Sequence, residues 1–127
     1  MNTTKYQQIV VDYINAYNSF DIDNMLKDMH ENIRFENISN GEVTLFVTGV
    51  KELRKQALLG VDYFNERMQR ITHLQCKDNQ VEIDVDYSAV LAVDSPNGYK
   101  AGDKLELKGK SLFTFEDCKI IALKDFS

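Results

Sequence analysis

Helical periodicity in the first half of the chain and long alternating strands in the second predict an α+β fold: a strongly curved, mainly antiparallel sheet with three helices gathered on one face. Two observations carry this. Tyr6, Ile9, Val10, Tyr13, Ile14 and Tyr17 fall at offsets 0, 3, 4, 7, 8 and 11, one continuous stripe at helical period. Val81, Ile83, Val85, Tyr87, Ala89, Leu91 and Val93 instead alternate with Glu82, Asp84, Asp86 and Ser88 on the opposite phase, the period of a half-buried strand. A curved sheet closing over three helices is cone-shaped and leaves a hollow between the layers. Polar residues on the apolar phase are then expected to line it.

The elements follow in order. After the first helix, Asp21 is placed to cap a second, whose Ile22, Met25, Leu26 and Met29 repeat the 0, 3, 4, 7 spacing. A strand is expected near Ile33–Ile38, where Ile33 and Phe35 alternate with Arg34 and Glu36, and Asn37 puts an amide on the apolar phase. Asn40-Gly41 marks a turn into a short strand, Val43 to Val47. Gly49 opens a third helix, with Glu52 placed to reach back to its N-terminus. The expected buried face of that helix is Val50, Leu53, Ala57, Val61, Phe64 and Met68. A strand near Arg70–Lys77 and a turn at Asp78-Asn79 precede the long alternating strand. Residues 94–103, with Pro96, Asn97-Gly98 and Gly102, read as a hairpin loop. Strands at Lys104–Glu116 and Lys119–Phe126 complete the chain, the first placing Leu105, Leu107, Gly109, Ser111, Phe113 and Phe115 on one face.

Composition narrows the function classes. With 127 residues the chain suits one domain spanning 1–127, large enough to bury a core. Fifteen basic residues against twenty acidic ones give a net charge of −5, which disfavours nucleic acid or an anionic membrane as the main partner. No apolar run approaches the roughly 20 residues of a membrane-spanning helix, and the N-terminal Met1-Asn2-Thr3-Thr4-Lys5 has no secretory pattern. Cys76 and Cys118 make no disulfide framework, so a reduced, cytoplasmic location is expected.

The run Tyr13-Ile14-Asn15-Ala16 through Asp21-Ile22-Asp23 to His30 and Phe35-Glu36-Asn37 resembles the nuclear transport factor 2-like superfamily. Within it the chain is most similar to the ketosteroid isomerase and SnoaL-like groups. Gly49-Val50-Lys51-Glu52-Leu53-Arg54 looks like the start of that family's third helix, and residues 113–120 with Asp125-Phe126 look like its last hairpin. The resemblance implies a tyrosine on the first helix and an aspartic acid on a late strand holding an oxyanion, with a second aspartate ending the first strand to move the proton. The tyrosine falls on Tyr13. The base position falls on Asn37, which does not accept a proton near neutral pH, and the second oxyanion donor falls on Ser111. Steroid isomerisation by that route is therefore not expected, and Ser111 also departs from the aspartate of SnoaL-like cyclases.

A different set of groups remains. Tyr13, Asn37 and Ser111 suit a cluster holding a carbonyl or hydroxyl of an apolar ligand, with Tyr17, His30, Phe35, Tyr87 and Phe113 as further lining. His73 and Asp125 are the candidates for proton transfer beside Tyr13. Bland readings stand beside these: Tyr13 as a core aromatic, Asn37 as a backbone-bonding residue at a strand end, Ser111 as a small residue packed beneath a helix, His30 as a helix end, Asp125 as a surface partner for lysine. No metal or cofactor is expected, because His73 and Cys76, three apart on a strand, face opposite ways, and no Gly-rich phosphate loop is present. Val90, Ala92 and Leu112 are apolar in the outward phase between an acidic end (Glu82, Asp84) and a basic end (Lys104, Lys108). A symmetric hairpin sets Leu112 near Asp86, Lys108 near Val90 and Lys110 near Ser88. A homodimer through this face is expected, as the resemblance also implies. Three functions stay open: a cofactor-independent isomerase, cyclase, dehydratase or hydrolase; a non-catalytic ligand binder; and an interaction module with a filled cavity.

Overall fold

A computed structural model of the protein describes residues 3–96 and 98–127; the leading Met1-Asn2 and the expected turn residue Asn97 lie outside the described residues. The elements run α1 (Thr3–Asn18), α2 (Ile22–Leu26), β1 (Met29–Ser39), β2 (Glu42–Thr48), α3 (Val50–Val61), β3 (Phe64–Lys77), β4 (Gln80–Leu91), β5 (Lys104–Glu116) and β6 (Lys119–Phe126). The six strands form one sheet in the order β2-β1-β6-β5-β4-β3, antiparallel except where β1 runs parallel to β6. The expected α+β architecture is present, with the three helices packed on the sheet.

The α1 stripe is buried as its period requires: Ile9, Val10, Tyr13 and Ile14 join one core with Val81, Ile83, Phe113, Phe115 and Leu123 from the sheet. Tyr6 stacks on Phe115 at 4.1 Å between centroids, and Tyr13 meets Phe113 edge-on at 5.6 Å. Asp21 caps α2, its carboxylate accepting from the Asn24 amide. Asn40 and Gly41 both take positive φ, 52° and 81°, the two-residue geometry that carries β1 into β2 without splaying the strands.

Four expectations are corrected. Met29 belongs to β1 rather than α2, because the chain turns at Lys27-Asp28 and the Ile120 amide donates to the Asp28 carbonyl. The third helix ends at Val61; Leu53 alone on it is buried, and Phe64 and Met68 lie on β3, where they happen to continue the helical spacing. Gly49 precedes α3 without a side-chain cap, and Glu52 accepts from Lys55 instead of reaching back. The β4–β5 hairpin is offset by four residues from the symmetric pairing: Leu112 faces Glu82, Lys108 faces Asp86 and Lys110 faces Asp84. The strand stops at Leu91 because the Ala92 amide donates to the Tyr63 carbonyl, away from β5, leaving Val93 exposed. In the true register Lys110 pairs with Glu82 at 2.7 Å and Lys108 with Asp86 at 3.0 Å, so much of the outer charge is matched within the chain.

Candidate functional site

The inner face of the sheet is built in rows. One row, Phe35, Leu123, Phe113 and Val81 on β1, β6, β5 and β4, is apolar and packs beneath α1. Two residues along, the row changes character: Asn37 on β1 lies opposite Asp125 on β6, which lies opposite Ser111 on β5. Strand periodicity does this, since positions two apart share a face. A further step brings Gly109 beside Val85, and the next sets Leu107 beside Tyr87 and Tyr87 beside Gln69.

A hollow of about 350 Å³ opens over these rows, lined among others by Tyr17, Asn37, Gln69, Tyr87, Ser111 and Asp125. That volume lies toward the lower end of the roughly 300–1,000 Å³ of small-molecule sites. Its apolar wall comes from Val85, Leu107 and Phe126. Gly109 contributes by lacking a side chain: a Cβ there would stand 3.2 Å from the Phe126 carbonyl oxygen. A larger hollow, about 530 Å³, adjoins this one around Met68, Arg70, Asp86 and Lys108, sharing Tyr87 and Leu107. Its two carboxylates are committed: Arg70 and Lys108 donate to Asp86 and hold it below the usual range, and Glu106 pairs with Lys104 at 3.2 Å. The inner hollow is therefore the chemical candidate.

Asp125 is the titratable group of that site. The Ser111 hydroxyl donates to its Oδ1 at 2.6 Å, and Ser111 itself is 5% exposed. Burial pushes the Asp125 carboxyl up to about 6, against the opposing pull of the Ser111 hydrogen bond. Tyr13 lies near enough to feel it: burial raises the phenol first, the Asp125 charge adds to that, and the Arg67 charge offsets part. One helical turn on, the Tyr17 hydroxyl shares a 3.0 Å hydrogen bond with that of Tyr87. Burial raises both phenols, while the Arg67 charge draws both down.

The structure gathers Tyr17, Asn37, Tyr87, Ser111 and Asp125 around one hollow and leaves the other expected residues elsewhere. Tyr13, 8% exposed, and the fully buried Phe113 pack against each other in the core below the hollow, and Phe35 belongs to the same apolar row. His30 lies on β1 with its Nδ1 accepting from the Asn32 amide, outside the hollow. His73 is exposed, because β3 carries an extra residue, Thr72, that shifts the phase and turns His73 outward opposite Asp84. Asp125, rather than pairing with a surface lysine, faces inward. Arg67 and Gln69 were hidden in the sequence by the overlong third helix. Arg67 is 6% exposed, its guanidinium 3.7 Å over the Tyr17 ring and its Nε donating to the Tyr17 carbonyl. The Asn18 side chain pairs with both backbone groups of Gln69, tying the end of α1 to this edge strand. Among the described residues no cluster of three or more His, Cys, Asp or Glu is placed to hold a metal.

Residues 10–123 match the family model of the SnoaL-like domain. No curated protein matches the chain. Among solved structures, a proposed polyketide cyclase from Xanthomonas campestris pv. campestris superposes with a TM-score of 0.87 at 19% identity, covering 100% of this chain and 93% of that one. A proposed SnoaL-like polyketide cyclase from Jannaschia sp. CCS1 gives 0.83 at 14% identity, with 98% and 85% covered. An LEH-like epoxide hydrolase from M. tuberculosis gives 0.79 at 13% identity, with 99% and 84% covered. At such identities these likenesses establish the fold. Among the described residues no helix is long and apolar enough to cross a membrane.

Proposed function

From the premise that the chain belongs to the SnoaL-like domain family, we propose that it binds a small, mostly apolar molecule carrying a carbonyl or hydroxyl in the inner hollow and moves a proton on it without a cofactor. The observation that carries this reading is Asp125: a carboxyl on the wall of the hollow, raised to about 6, held by Ser111 and flanked by Asn37. A purely structural carboxylate is usually paired with a cation and lowered; Asp125 is raised and has no ion pair among the described residues. At neutral pH it is mostly ionised and poorly solvated, the state in which a carboxylate is an effective general base. It would take a proton from a carbon made acidic by conjugation to a carbonyl and return it to another atom, the common step of isomerisation and ring closure. The Asn37 amide, unable to titrate, would orient the ligand beside it. A reduced, cytoplasmic setting belongs to the same reading.

The test is carbon-bound hydrogen exchange. Purified protein is incubated in D₂O with a panel of conjugated carbonyl compounds and followed by NMR. The wild type should accelerate exchange with at least one member, with a rate rising through a midpoint near pH 6, and Asp125→Asn should abolish it. Equal exchange by both proteins, or none by the wild type across the panel together with native mass spectrometry showing no ligand retained, refutes the reading.

A further inference from the structure

The proton-transfer reading leaves unassigned the group that receives the ligand's oxygen. Tyr13, which the family resemblance would assign to it, lies in the core below the hollow. Two other phenols do line the hollow, and they touch each other, Tyr17 hydroxyl to Tyr87 hydroxyl at 3.0 Å. Resting on the reading of Asp125 as the proton-transfer group, we propose that the Tyr17–Tyr87 pair is the oxygen-binding station of the site, and that its ligand is an elongated conjugated carbonyl compound.

Hydrogen counting supports the station. Two phenols carry two hydrogens; one is spent within the pair, whichever residue donates it, and the other remains available to an acceptor in the hollow. Val85 and Leu107 form the apolar part of the surrounding wall, and Gln69, paired with Tyr87 across the ladder, is the neighbouring polar side chain. Behind the pair lies a buried cation. The Arg67 guanidinium is stacked 3.7 Å from the Tyr17 ring centroid and 4.5 Å from that of Phe20, and it enters no ion pair among the described residues. Burial raises both phenols, and the Arg67 charge offsets part of that rise, favouring negative charge on an oxygen held beside them. Arg67 does not line the hollow, so it is a positioning residue.

The ligand's shape follows from the register. Ser111 faces Asp125 across the β5–β6 ladder, whereas Tyr87 faces Leu107, four residues back along β5. At about 3.3 Å per residue the two rows are roughly 13 Å apart at the backbone. A ligand engaging both stations therefore places its acidic C–H several bonds from the oxygen. Conjugation must link them: Asp125 takes the proton, the C–H electron pair enters the π system, and the negative charge appears on the oxygen at the phenols as an extended enolate.

A substituted 2-naphthol whose neutral and ionised forms differ in fluorescence mimics that enolate. It is best bound to Asp125→Asn, where no carboxylate repels it. In that background Tyr17→Phe and Tyr87→Phe should each weaken binding at least tenfold and shift the bound probe toward its neutral form. Tyr63→Phe, exposed and outside the hollow, should change neither. In the otherwise native chain Tyr87→Phe should slow hydrogen exchange roughly a hundredfold, with the circular dichroism spectrum unchanged. Exchange that stays intact in both phenylalanine variants, or unaltered naphthol affinity and ionisation, overturns the phenol station while leaving Asp125 standing. Loss of exchange in the wild type itself removes the underlying reading.

Discussion

Asparagine at position 125 keeps the shape of the native side chain and removes its titration, so Asp125→Asn isolates the energetics of one carboxyl. The folded protein raises that group from 3.8 to about 6. Between those values the folded state holds a proton that the unfolded chain has released. Stability from this group is therefore complete below about pH 4, declines as pH rises through about 6, and is level above. At 1.36 kcal/mol per unit the full swing is about 3 kcal/mol, an upper limit because the residue keeps some surface toward the hollow, where water screens it. Asparagine has no such slope. It retains an acceptor for the Ser111 hydroxyl, and the charge-assisted strength of that bond is already contained in the shifted value, which Ser111 pulls down against burial. The variant should thus be up to about 3 kcal/mol more stable than wild type near pH 8, with the advantage gone near pH 4. Urea denaturation of both proteins across this range measures the difference, and every other titrating group cancels between them. A difference that does not vary with pH, or a wild type that gains on the variant as pH rises, refutes the placement of a desolvated carboxyl at this wall. Stabilisation with loss of hydrogen exchange is the pattern of a residue kept for chemistry at the expense of the fold.

Ser111→Ala removes the donor that holds Asp125 down, so the midpoint of the exchange rate should move above about 6, read from its pH profile. Gly109→Ala sets a Cβ 3.2 Å from the Phe126 carbonyl oxygen and should cost about 1–3 kcal/mol in urea denaturation while reducing naphthol binding through a narrowed hollow. A homodimer through the outer sheet face, resting on Val90 and Leu112 with Ala92 beyond the end of β4, should appear as twice the chain mass by sedimentation at micromolar concentration and be lost in Leu112→Glu; a monomeric wild type ends that proposal.

The architecture was legible wherever burial imposes a period. β5 and β6 occupy the ranges their alternation implied, Lys104–Glu116 and Lys119–Phe126, because each has a buried face. The α1 stripe was equally plain. Errors arose where two periods coincide or the ladder slips. Phe64 and Met68 fit a continuing helix, yet the chain becomes strand after Val61, and that concealed Arg67 and Gln69. The extra Thr72 in β3 reversed the side on which His73 lies, which counting by twos along the strand cannot detect.

The site was harder to read because its coherence runs across the sheet. Asn37 and Ser111 each hold an uncharged group where the resemblance implies a carboxylate, and taken singly they suggest a site stripped of its acid–base function. The β1–β6 pairing is parallel and long-range, so no local pattern tells that Asp125 stands between them. Once the strands are laid side by side, a carboxyl occupies the middle of that row with Ser111 bonded to it and Asn37 beside it. The phenols shift in the same manner: Tyr13 sinks against Phe113, and Tyr17, a turn further along α1, reaches Tyr87 at the wall. A family comparison made position by position would register a kept phenol at Tyr13 and lost carboxyls at Asn37 and Ser111. The sheet register instead sets a titratable group and a hydrogen-bond donor on neighbouring elements, and the chemistry open to the chain depends on that placement.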